Sequence, residues 1–194
     1  MKPGLRREIV IVALIAAVFG GIAHGALLLY VHFGVMVAFW PASGVALALL
    51  LRFGKRYWPA LLLGVAVVLQ FEPFPFLLGF SVAAVNVGEA LLGAWILGKY
   101  TSFDKSLRRL SDVLNLFVVT ILVVAHVRTL GVSLLMCAGG MEPWSGFAGR
   151  WLMRWLGGTT SILVLVPWVL AGNPLRLIAR MNWKRGGEAL AVRS

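Results

Sequence analysis

The side chains most able to do chemistry in this chain are ionisable or polar groups inside otherwise apolar stretches. Glu89 lies near the middle of the apolar run 77–97, and Asn86 precedes it by three residues. Residues at this spacing share one face of a helix. An ionised group within the hydrocarbon costs about 2.5–3.5 kcal/mol on insertion scales, so this face is expected to point into a helix bundle. The pair is interpreted either as a ligand or proton site or as a polar lock between helices.

A second polar pair, His126 and Arg128, interrupts the apolar run 113–138. A contact between the Arg128 guanidinium and the Glu89 carboxylate would offset the desolvation cost of both groups. The alternative is that Arg128 extends along its aliphatic stem to the outer interface. Because the topology predicted below places Arg128 in the outward half of its helix, both interpretations stand.

A third group lies at the start of the last apolar stretch. Arg150 and Arg154 are four residues apart, as are Trp151 and Trp155. One helical stripe is therefore basic and a neighbouring stripe aromatic. This pattern is typical of an aromatic belt at a membrane interface, and a basic pocket for an anionic ligand is the alternative. Trp40, of the Trp40-Pro41 pair, is added to these groups. The candidate ligand-binding residues are therefore Trp40, Asn86, Glu89, His126, Arg128, Arg154 and Trp155.

The sequence carries no pattern of catalysis or metal binding. His24, His32 and His126 lack the spacing of metal ligands. The single cysteine, Cys137, excludes an intramolecular disulfide and a multi-cysteine metal site. A P-loop, a G-x-S-x-G elbow and an H-E-x-x-H helix are all absent from the sequence. We therefore expect a protein that is not an enzyme, with no metal and no cofactor.

Composition identifies the surroundings of these side chains. Hydrophobic residues make up 60% of the 194 residues and charged residues 13%, and the mean hydropathy is +0.91. A soluble domain of this length needs more polar surface, so most side chains must face lipid or one another. We predict an all-α, multi-pass integral membrane protein, a bundle of about six transmembrane helices.

The positions of the helices follow from the apolar runs between turns. Proline suits the first turn of a helix, so helix two is predicted to begin at Pro41, and residues 35–39 before it to form a partly re-entrant segment. The run 113–138 is expected to be one tilted or kinked helix, or two shorter pieces. The predicted helices are approximately 9–31, 41–51, 58–71, 77–97, 113–138 and 151–171. They form a membrane domain over residues 1–173, and a basic tail follows over residues 174–194.

The net charge of +11 is distributed in short clusters between the apolar runs. Apart from Arg128, Arg150 and Arg154, every lysine and arginine falls in one of the stretches 2–7, 52–56, 99–109 and 176–193. With six spans these four stretches face one side, and the positive-inside rule predicts both termini in the cytoplasm. This distribution argues against nucleic-acid binding and indicates membrane lipids as partners.

Three stretches resemble the membrane-associated sensor (MASE) family of the first type. The first is "AFWPASGVALALLLRFGKRYWPALLLG", with the family's W-P-x-x-G, apolar run, basic turn and W-P-x-x-x-L-G. The others are "NVGEALLGAWIL", which is similar to the family's Asn-x-x-Glu-Ala helix, and "RWLGGTTSILVLVPWVL", which is similar to its W-W-x-G-D…P ending. Gly158 stands where the family has that aspartate, and Arg154 where it has the first tryptophan. A more positive site is therefore expected here.

The resemblance implies a sensory input module of the bacterial inner membrane. Such a module binds a signal or a partner membrane protein and transmits through its last helix to a cytoplasmic histidine kinase or cyclic-di-GMP enzyme. No output domain follows here, so the output is expected in a longer chain or in a separate protein, with a homo-oligomer left open. The residues alone leave a small-solute transporter, or its substrate-binding subunit, as the alternative, because midplane polar groups and short helices also occur in transporters.

Overall fold

The computed structural model of the chain describes residues 3–33, 39–71, 75–101, 103–107 and 109–170. This part of the chain is helical and contains no β-strand. Short 3₁₀ turns, Lys55–Tyr57 and Trp144–Gly146, precede the third and the last helix. The helices are α1 (Pro3–Phe33), α2 (Pro41–Phe53), α3 (Trp58–Leu69), α4 (Phe76–Tyr100), α5 (Leu110–Val119), α6 (Ala125–Ala138) and α7 (Phe147–Leu170).

A π-helical turn, Thr120–Val124, joins α5 to α6. Leu110–Ala138 is therefore one continuous helix. The sequence had predicted either one tilted or kinked helix or two shorter pieces here. Helix α1 is longer than predicted at both ends and includes His32, which was expected in a linker. Residues 35–38 of the predicted re-entrant segment and the whole of the predicted tail lie outside the described residues.

Four helical segments are long and apolar enough to cross a membrane: Glu8–Leu28, Phe76–Tyr100, Leu110–Ala138 and Trp144–Leu170. Helices α2 and α3 contain only 13 and 12 residues. At a rise of about 1.5 Å per residue they are about 20 and 18 Å long, shorter than a hydrocarbon core of about 30 Å. The all-helical, multi-pass architecture is confirmed, but four of the described segments, rather than six, reach spanning length.

Helices α2 and α7 run parallel and in contact along the whole of α2. Three hydrogen bonds join them, and their partners advance along both helices in the same direction. We call these bonds the α2–α7 ladder: the Trp40 N–H to the Gly157 carbonyl (3.1 Å), the Gly44 N–H to Ser161 Oγ (3.0 Å) and Arg52 Nη1 to the Val169 carbonyl (2.8 Å). A side chain at Gly44 would overlap the Ser161 backbone. The close approach of the two helices therefore depends on this glycine.

Helix α2 begins beside the middle of α4, inside the bundle. Ser43, in the first turn of α2, donates a hydrogen bond to Glu89 of α4 (2.8 Å). One turn further along both helices, Leu47 packs against Gly93. Because α2 and α4 run in the same direction, α2 covers only the second half of α4. An internal helix start needs partners for its free N–H groups. Pro41 has no backbone N–H to satisfy, and the Ser161 hydroxyl accepts a hydrogen bond from the Gly44 N–H.

The remaining helices complete the bundle around this centre. Helix α6 runs antiparallel to α4, because Val85 packs against Gly131 while Leu78, earlier in α4, packs against Gly139, later in the chain. Helix α1 packs closely on α3, where a side chain at Gly64 would lie 2.6 Å from the Ala16 carbonyl oxygen.

The end of α2 contacts the end of α7, and the turn that follows α2 contacts the start of α1. Arg56 in this turn pairs with Glu8 of α1 (3.4 Å), and the Tyr57 hydroxyl donates to the same carboxylate (3.2 Å). Arg52 donates to the carbonyl of Val169, in the last turn of α7. These contacts bring the three segments together at one end of the bundle.

Candidate functional site

The centre of the bundle contains a buried ion pair between α4 and α6. Arg128 Nε lies 3.2 Å from Glu89 Oε2, and the two side chains are only 4% and 1% exposed. The contact considered from the sequence is therefore present, and the alternative, in which Arg128 reaches the outer interface, is wrong. Two charges removed from water to this extent are tolerable only as a closely matched pair, because desolvation costs several kcal/mol per ion.

The guanidinium of Arg128 also reaches the last helix. Its Nη2 donates to the backbone carbonyl of Arg154 (2.9 Å). A Cβ at Gly158 would lie 2.5 Å from the same nitrogen, so the glycine leaves the space that the guanidinium occupies. Arg128 thus connects α4 to α7 through one planar group. Its donors point in fixed directions, and a lysine ammonium cannot reproduce them.

Four helices therefore meet at one point, each through one residue. We call this set the four-helix cluster: Ser43 of α2, Glu89 of α4, Arg128 of α6 and Gly158 of α7. The start of α2 faces the Glu89 carboxylate through the Ser43 hydroxyl. The positive end of a helix dipole, equivalent to about half an elementary charge, stabilises an anion placed there. The carboxylate thus contacts a cation and a hydroxyl, and the hydroxyl belongs to the first turn of α2.

Hydrogen-bonding capacity remains around the cluster. Arg128 Nε lies close to Glu89, but its N–H is not aligned for a hydrogen bond. An unpaired buried polar atom costs about 1–3 kcal/mol. Within the described part of the chain, two buried atoms of the cluster have no hydrogen-bond partner, Glu89 Oε1 and Arg128 Nε. Trp40 Nε1 and Thr159 Oγ1, in the residue before α2 and the residue after Gly158, are also unpaired.

Asn86 does not contribute to the ion pair. Its Nδ2 donates to the Val82 carbonyl one turn earlier in α4 (2.7 Å). Asparagine side chains commonly form such local bonds to the backbone. The shared face inferred from the spacing of Asn86 and Glu89 therefore does not become a shared contact. Ser43 of α2 is the hydrogen-bond partner of Glu89 instead.

His126 and Trp155 form a separate contact between α6 and α7. The Trp155 indole N–H donates to His126 Nδ1 (3.2 Å), and the two ring centroids are 5.4 Å apart. The Trp151 ring lies 5.7 Å from the same histidine. The predicted site residues His126 and Trp155 therefore contact each other and not the Glu89–Arg128 pair.

The basic stripe of α7 is paired with an acid that the sequence interpretation missed. Glu142, in the loop before α7, binds Arg150 through Oε2 (2.9 Å) and Arg154 through Oε1. Arg154 Nη1 also donates to Ser133 Oγ of α6 (3.0 Å). Arg154 contacts the four-helix cluster only through its backbone carbonyl. The expectation of a more positive site did not include the Glu142 carboxylate, which offsets one of the two arginine charges.

These observations define a class: a multi-pass helical membrane protein with a charged pair buried where four helices meet. The family model of MASE1, a membrane-associated sensory domain, matches residues 9–187. The chain therefore belongs to the MASE1 family, as its sequence motifs indicated. No curated protein and no solved structure shows a significant match to the chain.

A double-mutant cycle measures the coupling in the buried pair. Glu89→Gln or Arg128→Met alone leaves an uncompensated buried charge, and each is expected to lower the free energy of unfolding by about 3–5 kcal/mol. The double variant removes both charges and is expected to lose clearly less than the sum of the two single changes. The measurement is the free energy of unfolding in mixed micelles with increasing denaturing detergent.

The exposed pair Glu8–Arg56 provides the control for this cycle. Its side chains are 46% and 68% exposed, and solvent-exposed pairs contribute about 0–1 kcal/mol. Glu8→Gln and Arg56→Gln should therefore change the stability little. Strict additivity of Glu89→Gln and Arg128→Met would show that the buried contact contributes no coupling.

Proposed function

We propose that the chain is the sensory input module of a bacterial signalling system, and that the four-helix cluster reads the signal. The observation that carries this proposal is the position of Arg128, which binds Glu89 of α4 and the Arg154 carbonyl of α7 at once. A signal that changes the balance between these two bonds changes the position of α7 relative to α4. A module of this kind needs two arrangements whose populations the signal shifts.

The α2–α7 ladder is suited to carry such a change to the end of α7. Its first bond, at Gly157, is next to Gly158 of the cluster. Its last bond, from Arg52, lies in the final turn of α7. A displacement of α7 at the cluster must therefore be shared by α2 or break these bonds. We infer that α2 and α7 move as one unit toward a cytoplasmic output, a histidine kinase or a cyclic-di-GMP enzyme, fused or in trans.

The chemistry of the cluster also constrains the signal. The Glu89–Arg128 pair is balanced in charge, so a charged ligand in contact with it would leave one charge uncompensated. The unpaired groups are donors on Trp40 and Arg128, an acceptor on Glu89 and the Thr159 hydroxyl, which can donate and accept. They favour a small uncharged molecule with both a donor and an acceptor. A polar side chain of a partner membrane protein would present the same groups.

Conservative substitutions test the proposed coupling. Arg128→Lys retains a cation for Glu89 but cannot also reproduce the bond to Arg154, so transmission should change while the protein remains folded. With a diguanylate cyclase domain fused after Ser194, we expect the basal rate of cyclic-di-GMP formation in membranes to change about fivefold or more. Glu89→Gln should insert normally and also alter the output.

Arg56→Lys is the matched control for this experiment, because Arg56 belongs to the exposed ion pair at the end of the bundle. It should leave the output of the fusion at the wild-type level. Wild-type output from both Arg128→Lys and Glu89→Gln, at equal amounts of membrane protein, would remove the cluster from the signalling path.

The proposed orientation places both ends of the chain in the cytoplasm of a cell whose inner membrane holds the bundle. Arg56 in the basic turn pairs with Glu8 at the start of α1, and Arg52, just before this turn, bonds to the end of α7. The positive-inside rule favours the cytoplasm for such a turn. In a Cys137→Ser background, Lys55→Cys should react with an impermeant maleimide only in inverted membrane vesicles, and Ser145→Cys only in intact spheroplasts. The opposite pattern would reverse the orientation.

One observation also favours the transporter alternative. Helix α2 begins inside the bundle beside a carboxylate, and many transporters place such helix ends at their substrate sites. Proteoliposomes that contain only this chain distinguish the two functions. A labelled solute that binds and accumulates inside the vesicles indicates transport, whereas binding without accumulation supports the sensor.

A further inference from the structure

The loop before α7 places one carboxylate between two arginines. Glu142 Oε2 accepts from Arg150 Nε (2.9 Å), and Oε1 accepts from Arg154 Nη2. The arginines are one helical turn apart on α7. The three side chains are 13%, 22% and 15% exposed, in the order Glu142, Arg150 and Arg154. We call these three residues the arginine clasp. Each carboxylate oxygen has its own guanidinium, an arrangement that suits a carboxylate group well.

The arginine clasp carries one positive charge in excess. Within the described part of the chain, Glu142 is the one acid that pairs with either arginine. The other polar contacts of the guanidinium groups are neutral: Arg150 Nη2 donates to the Pro143 carbonyl and Arg154 Nη1 to Ser133 Oγ. Two half-buried cations with one anion attract a further anion, and the screening by water is incomplete at this depth.

The Glu142 side chain can leave the clasp without a change in the backbone. The N–H groups of Met141 and Glu142 both donate to the Met136 carbonyl (2.9 and 3.2 Å), which fastens the loop to the end of α6. The carboxylate lies beyond three side-chain torsions, which rotate far more readily than the loop unfolds. The residues that follow, Pro143 to Ser145, are exposed, so this end of the clasp is open to the outside of the bundle.

We propose that the arginine clasp is a binding site for a small carboxylate anion, with the Glu142 side chain as its tethered occupant. A free carboxylate competes with Glu142 for the two guanidinium groups. The displaced Glu142 regains water, and the anion then compensates the clasp. A tethered competitor at high effective concentration lowers the apparent affinity for the free anion. This site is distinct from the four-helix cluster, and its ligand binding does not depend on the proposed sensory function.

Propionate is the appropriate probe, because it reproduces the Glu142 side chain beyond the backbone. The full chain in nanodiscs is titrated with sodium propionate at constant ionic strength, and the fluorescence of the tryptophans beside the clasp is followed. The wild type should bind weakly and saturably. Glu142→Gln, which removes the tethered carboxylate, should bind propionate at least about tenfold more tightly. Propionamide, the neutral isostere, should not bind.

Two controls complete the test. Glu8→Gln removes an acid from the opposite end of the bundle and should leave propionate binding at the wild-type level. Arg150→Gln in the Glu142→Gln background should abolish the gain in affinity. The proposal is overturned if Glu142→Gln, eluting in nanodiscs as the same single species as the wild type, binds propionate no more tightly than the wild type. It is equally overturned if propionamide binds as well as propionate.

Discussion

The Glu89–Arg128 pair is the contact on which the rest of the structure depends. Each charge is destabilising in the bundle without the other, because an unpaired ion in this environment costs several kcal/mol. The pair joins α4 to α6 at the centre of the bundle. It also positions two further elements, since Ser43 must present its hydroxyl to the carboxylate and Gly158 must leave room for the guanidinium. The small residues of α2 and α7 are therefore understandable as consequences of one buried ion pair.

The internal start of α2 follows from the same constraint. A helix that begins inside a membrane bundle exposes N–H groups that lipid cannot satisfy. Here Pro41 removes one of these groups, and Ser161 accepts a hydrogen bond from another, the Gly44 N–H. The α2–α7 ladder then holds the short helix against a full-length one. The result is a bundle in which α2 and α7 are linked along the whole of α2. Such a link suits a membrane-associated sensory domain.

Much of this arrangement could be predicted from the sequence, and the reasons for the exceptions are physical. Glu89 and Arg128 are conspicuous because ionisable groups in apolar runs require partners. Ser43 is not conspicuous, because placing a serine of a helix in lipid costs little free energy and its partner is 46 residues away in the chain. Glu142 is separated from its two arginines by 8 and 12 residues across a loop, so no helical periodicity links them. Apolar run lengths also cannot reveal that α2 starts beside the middle of α4. Of the six spans expected, four of the described helical segments reach full spanning length.

In the proposed sensor, Arg128 fixes the position of α7 relative to α4. Spin labels at Lys99→Cys in α4 and Trp168→Cys in α7, in a Cys137→Ser background, would report this position as a distance distribution in nanodiscs. With Arg128 intact, a single narrow distribution is expected. Arg128→Lys keeps the charge but loses the bond to the Arg154 carbonyl, and the distribution should shift or divide into two populations. An unchanged distribution in folded Arg128→Lys protein would contradict the claim.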